Sequence, residues 1–246
     1  MVINMLKYNN SILKVNNGAS TLNFTRVQLI PNDMDFVYFA KDLTSTSIPN
    51  SAVNSTFGDY MKSGTLISNG SGANTYLQNA NNGSNFLYKD LTNEQLDAMK
   101  AINSTYTYFI RCKQEGNDRG TGGILSWRYN NENNYNYMVR ADNQQLQLHT
   151  TTGYWCGSDF ALTVDRVYKV VVSGSSFKAY NLDNNAEYSV AYNTTRNMGN
   201  KLTTFYAGST EYNLTSFFAL AGIPRATTST EDTNIKAALM SQSIYA

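Results

Sequence analysis

The chain has 246 residues, with 19 Lys and Arg against 18 Asp and Glu, one His and only 15% charged residues, well below the usual share of about 25%. That length suffices for one large β domain or two small ones and buries roughly 70 to 75% of the unfolded surface, and the balanced charge excludes a nucleic-acid footprint or a polybasic membrane patch. Solubility falls to neutral Asn, Ser and Thr and to 18 Tyr, which with 16 Gly and 3 Pro favour turns and half-buried strands, an all-β composition.

The opening MVINMLKYNN lacks the apolar run of roughly 7 to 15 residues of a secretory signal, and no stretch reaches the roughly 18 apolar residues of a membrane span. The expectation is a soluble protein made in a cytoplasm, with no membrane insertion. Cys112 and Cys156 are too few to form a disulfide framework and read as buried or idle thiols.

Short strands are expected at Met5–Tyr8, Ser11–Val15 and Leu22–Leu29, with Asn9-Asn10 and Asn17-Gly18 supplying turn chemistry. IPNDMDF, 30–36, then punctuates the chain, so a β segment at 1–34 precedes a main domain at 35–246. Ser45 to Phe57 reads as a polar connection around Pro49.

LTNEQLDAMKAI predicts a helix: Thr92 is the N-cap, Gln95 closes a capping box, and Leu91 with Leu96 form a hydrophobic staple. A second helix is expected near the C-terminus, with Thr228 and Glu231 as its box and Ile235, Ala238 and Leu239 on one face. Both read as lids on a sheet.

Between the helices, alternation places Tyr106, Tyr108 and Ile110 on one strand face, then Leu125, Trp127 and Tyr129, then Tyr135, Tyr137 and Val139. Leu146 and Leu148 follow, then Tyr168, Val170 and Val172, and Phe177 and Ala179 opposite Lys178 and Tyr180. Six strands joined by short Asn, Asp and Gly turns predict an antiparallel meander.

The order YTYFIRCK, GGILSWRY, NYMVRADNQQLQLHT, RVYKVVVSGSSFKAYNLDNN, TFYAGS and FFALAGIPRATTSTEDTNIKAAL resembles the concanavalin-A-like and laminin-G-like jelly-roll plan over residues 35–240. The resemblance implies a two-sheet antiparallel sandwich with a small N-terminal β segment and two short helices. MLKYNNSILKVNNG resembles leaders on structural proteins of tailed bacterial viruses. That likeness implies a head-fibre, capsid-decoration or tail-fibre subunit, made in the host cytoplasm and displayed on the virion surface. Such a subunit would be a homo-oligomer docking on capsid or tail proteins through Ser11, Ile12, Leu13, Lys14 and Val15, a strand whose edge is free to pair with a partner.

Jelly rolls of this plan include glycoside hydrolases, which need two facing carboxylates. Glu115, Asp118, Glu132, Asp159 and Asp165 are scattered in loops and at strand starts, and no alternating acidic triplet exists. His149 alternates with Leu146 and Leu148 on a strand, and no G-x-S-x-G elbow or zinc ligand set accompanies it. The family's loop calcium could be met by Asp118, Asp142, Asp159 or Asp183, although Asp is also an ordinary turn residue. The expectation is a protein that is not an enzyme and has no cofactor or resident metal.

A glycan site on this fold needs exposed rings and amides. Tyr154 and Trp155 in TTGYWCGSD, Tyr129 and Tyr135 beside the hairpin tip, and Asn130, Asn133 and Asn134 within it are the candidates. Trp155, between Gly153 and Gly157, either offers its ring to a ligand or plugs the end of the sandwich. The two function classes left are a virion structural subunit that touches host glycans and a soluble carbohydrate-binding module or lectin.

Overall fold

The computed structural model describes residues 26–79, 85–114, 122–128, 135–142, 144–149, 153–174, 176–191, 199–205 and 215–246, together with three short N-terminal strands. Those strands, β1 (Lys7–Tyr8), β2 (Ser11–Lys14) and β3 (Asn23–Phe24), form their own antiparallel sheet. β2 is its middle strand, pairing Lys7 with Ile12 on one side and Leu13 with Phe24 on the other. The expected free edge at Ser11–Lys14 is therefore occupied on both sides, and the outer edges of this sheet belong to β1 and β3; Val15 lies outside the described residues.

The chain continues through β4 (Phe36–Phe39), β5 (Ser47–Ile48), β6 (Tyr60–Ser63), β7 (Leu66–Asn69), β8 (Tyr76–Asn79), β9 (Phe86–Asp90) and helix α1 (Asn93–Lys100). There follow β10 (Thr105–Gln114), β11 (Gly122–Arg128), β12 (Tyr135–Asp142), β13 (Gln145–His149) and β14 (Gly153–Trp155). The last elements are β15 (Arg166–Ser173), β16 (Ser176–Asn181), β17 (Ala186–Ala191), β18 (Lys201–Thr204), β19 (Thr215–Ile223) and helix α2 (Ser229–Ser241).

Two antiparallel sheets make a β-sandwich. The first runs β17-β16-β15-β10-β19-β8-β7, with β4 also pairing β19, and the second runs β14-β13-β12-β11-β18-β9-β6-β5. The expected six-strand meander is thus divided: β11, β12 and β13 are neighbours in the second sheet, whereas β10, β15 and β16 are neighbours in the first. β10 lies between β15 and β19 and does not pair with β11. The reason is packing: both strands carry an apolar inward face, and facing one another across the sandwich buries both. Tyr108 of β10 meets Trp127 of β11 edge to face at 5.8 Å between ring centres.

Alternation sorts the side chains as expected. Tyr106, Tyr108, Ile110 and Cys112 point into the inter-sheet core with Tyr168, Val170, Val172, Phe177 and Ala179, opposite Leu125, Trp127, Val139, Leu146 and Leu148. Phe109, Val167, Ala219, Ala221 and Ile223 point the other way, and Ile235, Ala238 and Leu239 of α2 cover them. A sheet covered on both faces explains why every residue of β19 is buried.

Both capping boxes form. Thr92 accepts from the Gln95 amide at 3.2 Å while Gln95 Oε1 accepts from Thr92 N at 3.0 Å, and Thr228 and Glu231 repeat the exchange at 3.2 and 2.8 Å. Leu91, Leu96 and Met99 put α1 into the inter-sheet core. Residues 27–34 join the C-terminus: Leu29 N donates to Ile244 O at 2.8 Å, Ala246 N to Val27 O at 2.9 Å, and Ile30 and Met34 pack in the cluster under α2.

Candidate functional site

β14 ends the second sheet, so its side chains have a neighbouring strand on one side only. Tyr154 pairs with Leu148, whose side chain is in the core, and Trp155 pairs with Gln147 on the outward face. Tyr154 is 39% exposed and Trp155 51%. Trp155 is therefore not a plug in the sandwich; Cys156, 6% exposed, takes that inward position. Alternation along the strand turns Cys156 inward after Trp155, and Gly157 then ends the run with φ of 90°, a conformation that side-chain-bearing residues rarely adopt.

β17 ends the first sheet, and its Tyr188 packs partly buried against the inter-sheet core. Partial burial pushes the Tyr188 phenol pKa up, and the neighbouring Cys156 and Tyr154 push it further. The ends of the two sheets thus bring Tyr154 and Cys156 near Tyr188, while Trp155 lies on the opposite, outward face of β14. Tyr188 was missed from the sequence. The signal that could have found it is the alternation of Ala186, Tyr188 and Val190 in AEYSVA.

Inward from the β14 edge, the outward side of the second sheet carries Gln147 on β13 and the cross-strand pair Ser126 and Thr203 on β11 and β18. All three are buried, and among the described residues Gln147 Oε1, Ser126 Oγ and Thr203 Oγ1 have no hydrogen-bond partner.

Of the other candidates, Tyr129, Asn130, Asn133 and Asn134 lie outside the described residues. Tyr135 opens β12 opposite Arg128, and His149 closes β13 opposite Gly153.

Most described carboxylates in the sandwich are committed to cations. Asp165 is gripped by Arg111, Asp183 by Arg166 and Lys236 at 3.3 and 2.6 Å, Asp232 by Lys169 at 2.7 Å, and Glu187 by Lys178 at 2.6 Å. Among the described residues no three His, Cys, Asp or Glu side chains converge as a metal ligand set. Asp183, one of the calcium candidates, is already neutralised, and Asp118 lies outside the described residues. Cys112 and Cys156 are unlinked and buried.

No protein-family model matches the chain, and no curated protein sequence matches it significantly. Solved structures do share its fold. A Trypanosoma rangeli sialidase in complex with sialic acid superposes with a TM-score of 0.63 at 9% identity over 87% of this chain. The chain spans only about a third of that sialidase, 34% of its length. Domain 4 of AbnA, a GH43 extracellular arabinanase from Geobacillus stearothermophilus, in complex with arabinotriose, gives 0.55 at 12% identity over 83% of this chain and 98% of that one. The binding domain of botulinum neurotoxin DC in complex with SialylT gives 0.55 at 9% identity, covering 84% and 52%. At such identities the likeness shows the fold alone: the chain is a two-sheet β-sandwich similar to these domains, as its resemblance to concanavalin-A-like and laminin-G-like jelly rolls implied.

Proposed function

We propose that this chain is a non-catalytic carbohydrate-binding sandwich that holds a sugar against the exposed ring of Trp155 at the β14 edge, with Tyr154 beside it on the same strand. The observation that carries this reading is the exposure of Trp155, a large ring left in water although an inward turn was open to its neighbour Cys156. An indole face stacks on the C–H face of a sugar ring, and the part-exposed Tyr154 on the same edge strand adds a hydroxyl. The similar folds support it as well: an arabinanase domain solved with arabinotriose, a neurotoxin binding domain with SialylT and a sialidase with sialic acid.

Glycan-array and calorimetric titration of the whole chain test the reading. Trp155→Ala is expected to lose binding at least ten-fold while the unfolding midpoint stays within a few degrees, because an exposed ring contributes little to the core. Unchanged binding in that variant removes the site. The non-catalytic part is tested separately, by the absence of new reducing ends after incubation with any glycan that binds.

A second reading concerns where such a module is displayed. The N-terminal strands pair with one another rather than with the sandwich strands, which favours a separate attachment piece on a bacterial-virus particle, docking an oligomer to capsid or tail proteins. Single-site affinities near millimolar, about 4 kcal/mol, would then gain roughly 10² to 10⁴ through many copies. Quantitative mass spectrometry of purified particles tests this: many copies support it, and absence from particles refutes it. Deletion of residues 1–25 is expected to leave a folded sandwich that no longer joins them.

A further inference from the structure

A recess of about 230 Å³ opens where the chain enters β4, between Asp33 and Asp35, the loop at Asn54–Phe57, and Gln95 of α1. It shares no residue with the Trp155 margin. The loop leads into β6 beside β5, the end of the second sheet opposite β14, and seven strand spacings of about 4.8 Å put the two ends roughly 30 Å apart.

Asp35 is fixed on several sides. Its N–H donates to Gly222 O at 2.9 Å, its carbonyl accepts from Asn50 Nδ2 at 3.0 Å and from Ser55 Oγ, and its Oδ2 accepts from Tyr106 Oη at 2.6 Å. Oδ1 is left without a described partner. Asp33 is different: Arg225 takes both its oxygens, at 2.6 and 3.0 Å. The recess is therefore lined by one carboxylate that no cation neutralises, its Oδ1 without a partner among the described residues, and by no cation.

The remaining lining groups are neutral and mixed. Asn54 sits at φ of 61°, and its side-chain amide bonds no described residue, nor does the Thr56 hydroxyl. Gln95 commits Oε1 to Thr92 N at 3.0 Å, which leaves its Nε2–H groups for a ligand. A volume below the roughly 300 to 1,000 Å³ of drug-sized pockets, one acceptor carboxylate and a set of neutral amide and hydroxyl partners suit a single ring bearing several hydroxyls. An anion would face Asp35 unfavourably.

We infer that this recess is a second site, for one neutral sugar ring, in which two adjacent hydroxyls donate to the Asp35 carboxylate and a third bonds the Asn54 amide. It stands on observations independent of the Trp155 margin, and together the two make the chain bivalent for a glycan or for neighbouring glycans.

Amide NMR of the full chain tests it, titrating the methyl glycosides of glucose, galactose, mannose and arabinose to tens of millimolar, with N-acetylneuraminic acid as the anionic probe. At least one neutral glycoside is expected to shift the amides of Asp35, Asn54, Ser55 and Gln95 saturably. Asn54→Gly keeps the left-handed backbone and Asp35→Asn keeps an acceptor for Tyr106; each is expected to weaken that binding several-fold. Trp155→Ala is expected to leave it intact, so failure of the edge site and failure of the recess are distinguishable. The inference is overturned if no neutral glycoside shifts these amides, if only the anion does, if both recess variants bind like the parent, or if Trp155→Ala abolishes the shifts.

Discussion

Arg111 and Asp165 meet as fork and carboxylate, with Nε 2.9 Å from Oδ1 and Nη2 2.6 Å from Oδ2. The same guanidinium, buried on the α2 side of β10, donates through Nη1 to Ala73 O, Leu239 O and Met240 O at 2.7, 3.1 and 2.9 Å and lies 4.4 Å from the Phe218 ring centre. One cation thereby serves the carbonyl end of α2, where helix carbonyls lack donors and the dipole is negative. Arg111→Met preserves bulk but strands Asp165 and the Met240 carbonyl, while Ala73 O and Leu239 O keep the Gln242 Nε2 and N donors at 3.0 and 3.3 Å. A loss of about 3–5 kcal/mol is expected, towards the lower end because water still reaches Asp165. Denaturant titration checks it, and a loss below about 1 kcal/mol would contradict this account.

Gly222 lies opposite Phe36 in the β19–β4 pair, and a Cβ there would sit 2.4 Å from Phe36 Cζ. The Phe36 ring is itself held against Tyr38 and Phe57 at 5.2 and 4.8 Å between centres. Gly222→Ala is therefore expected to cost about 1–3 kcal/mol through overpacking. Combined with Phe36→Leu, the loss should be smaller than the sum of the two single losses, a coupling that a double-mutant cycle of unfolding energies measures.

Arg225 bridges Asp33 and Glu231 and so ties the approach to β4 to the start of α2. Its hydrogen bonds hold the Glu231 carboxyl at about 2, helped by the Thr228 amide, and hold Asp33 below the usual carboxylate range. Both pKa values are lower in the folded chain than in the unfolded one, so both carboxylates stabilise the fold above their ordinary pKa and lose that contribution as the pH falls. The expected stability decline runs from about pH 4.5 to about pH 2 for Glu231. Arg225→Gln should flatten that decline, and added salt should reduce it, because the groups are partly exposed. Asp35 works in the opposite sense: burial raises its pKa, so the folded chain binds its proton more tightly than the unfolded one. Unfolding midpoints across this acid range, with and without Arg225, separate the two contributions.

Cys112 and Cys156 are both buried, and burial pushes the Cys156 thiol up to about 12 and that of Cys112 higher still. Because the thiolate is the reactive form, neither is expected to react with a disulfide reagent in the native chain at mildly alkaline pH. Both should react on unfolding. Rapid labelling of either in the native state would contradict this inward placement.

Parts of the candidate site were legible because they depend on neighbours in sequence. Trp155 between two glycines marked an exposed turn or a plug, and only the pairing of Trp155 with Gln147 in an edge strand resolved the choice. Tyr188 and the Asp35 recess were not legible, since each depends on segments distant in the chain meeting. Tyr106 reaches Asp35 across 71 positions.

The sequence by itself determined what local physics controls. Both capping boxes lie within one helical turn, and the inward residues of β10, β13, β15 and β16 follow from the period of two along a strand. It could not determine which strands share a sheet, because a residue's face is set by its own strand while its neighbours are set by what buries both faces. β10 and β11 are consecutive in the main run of strands, yet tertiary packing put them in different sheets so that Tyr108 and Trp127 could meet. Arg111 follows the apolar run Tyr108–Ile110 in β10, and only the fold supplied its partners, 38 to 129 positions away. A buried cation persists there because Asp165 and the α2 carbonyls converge on it.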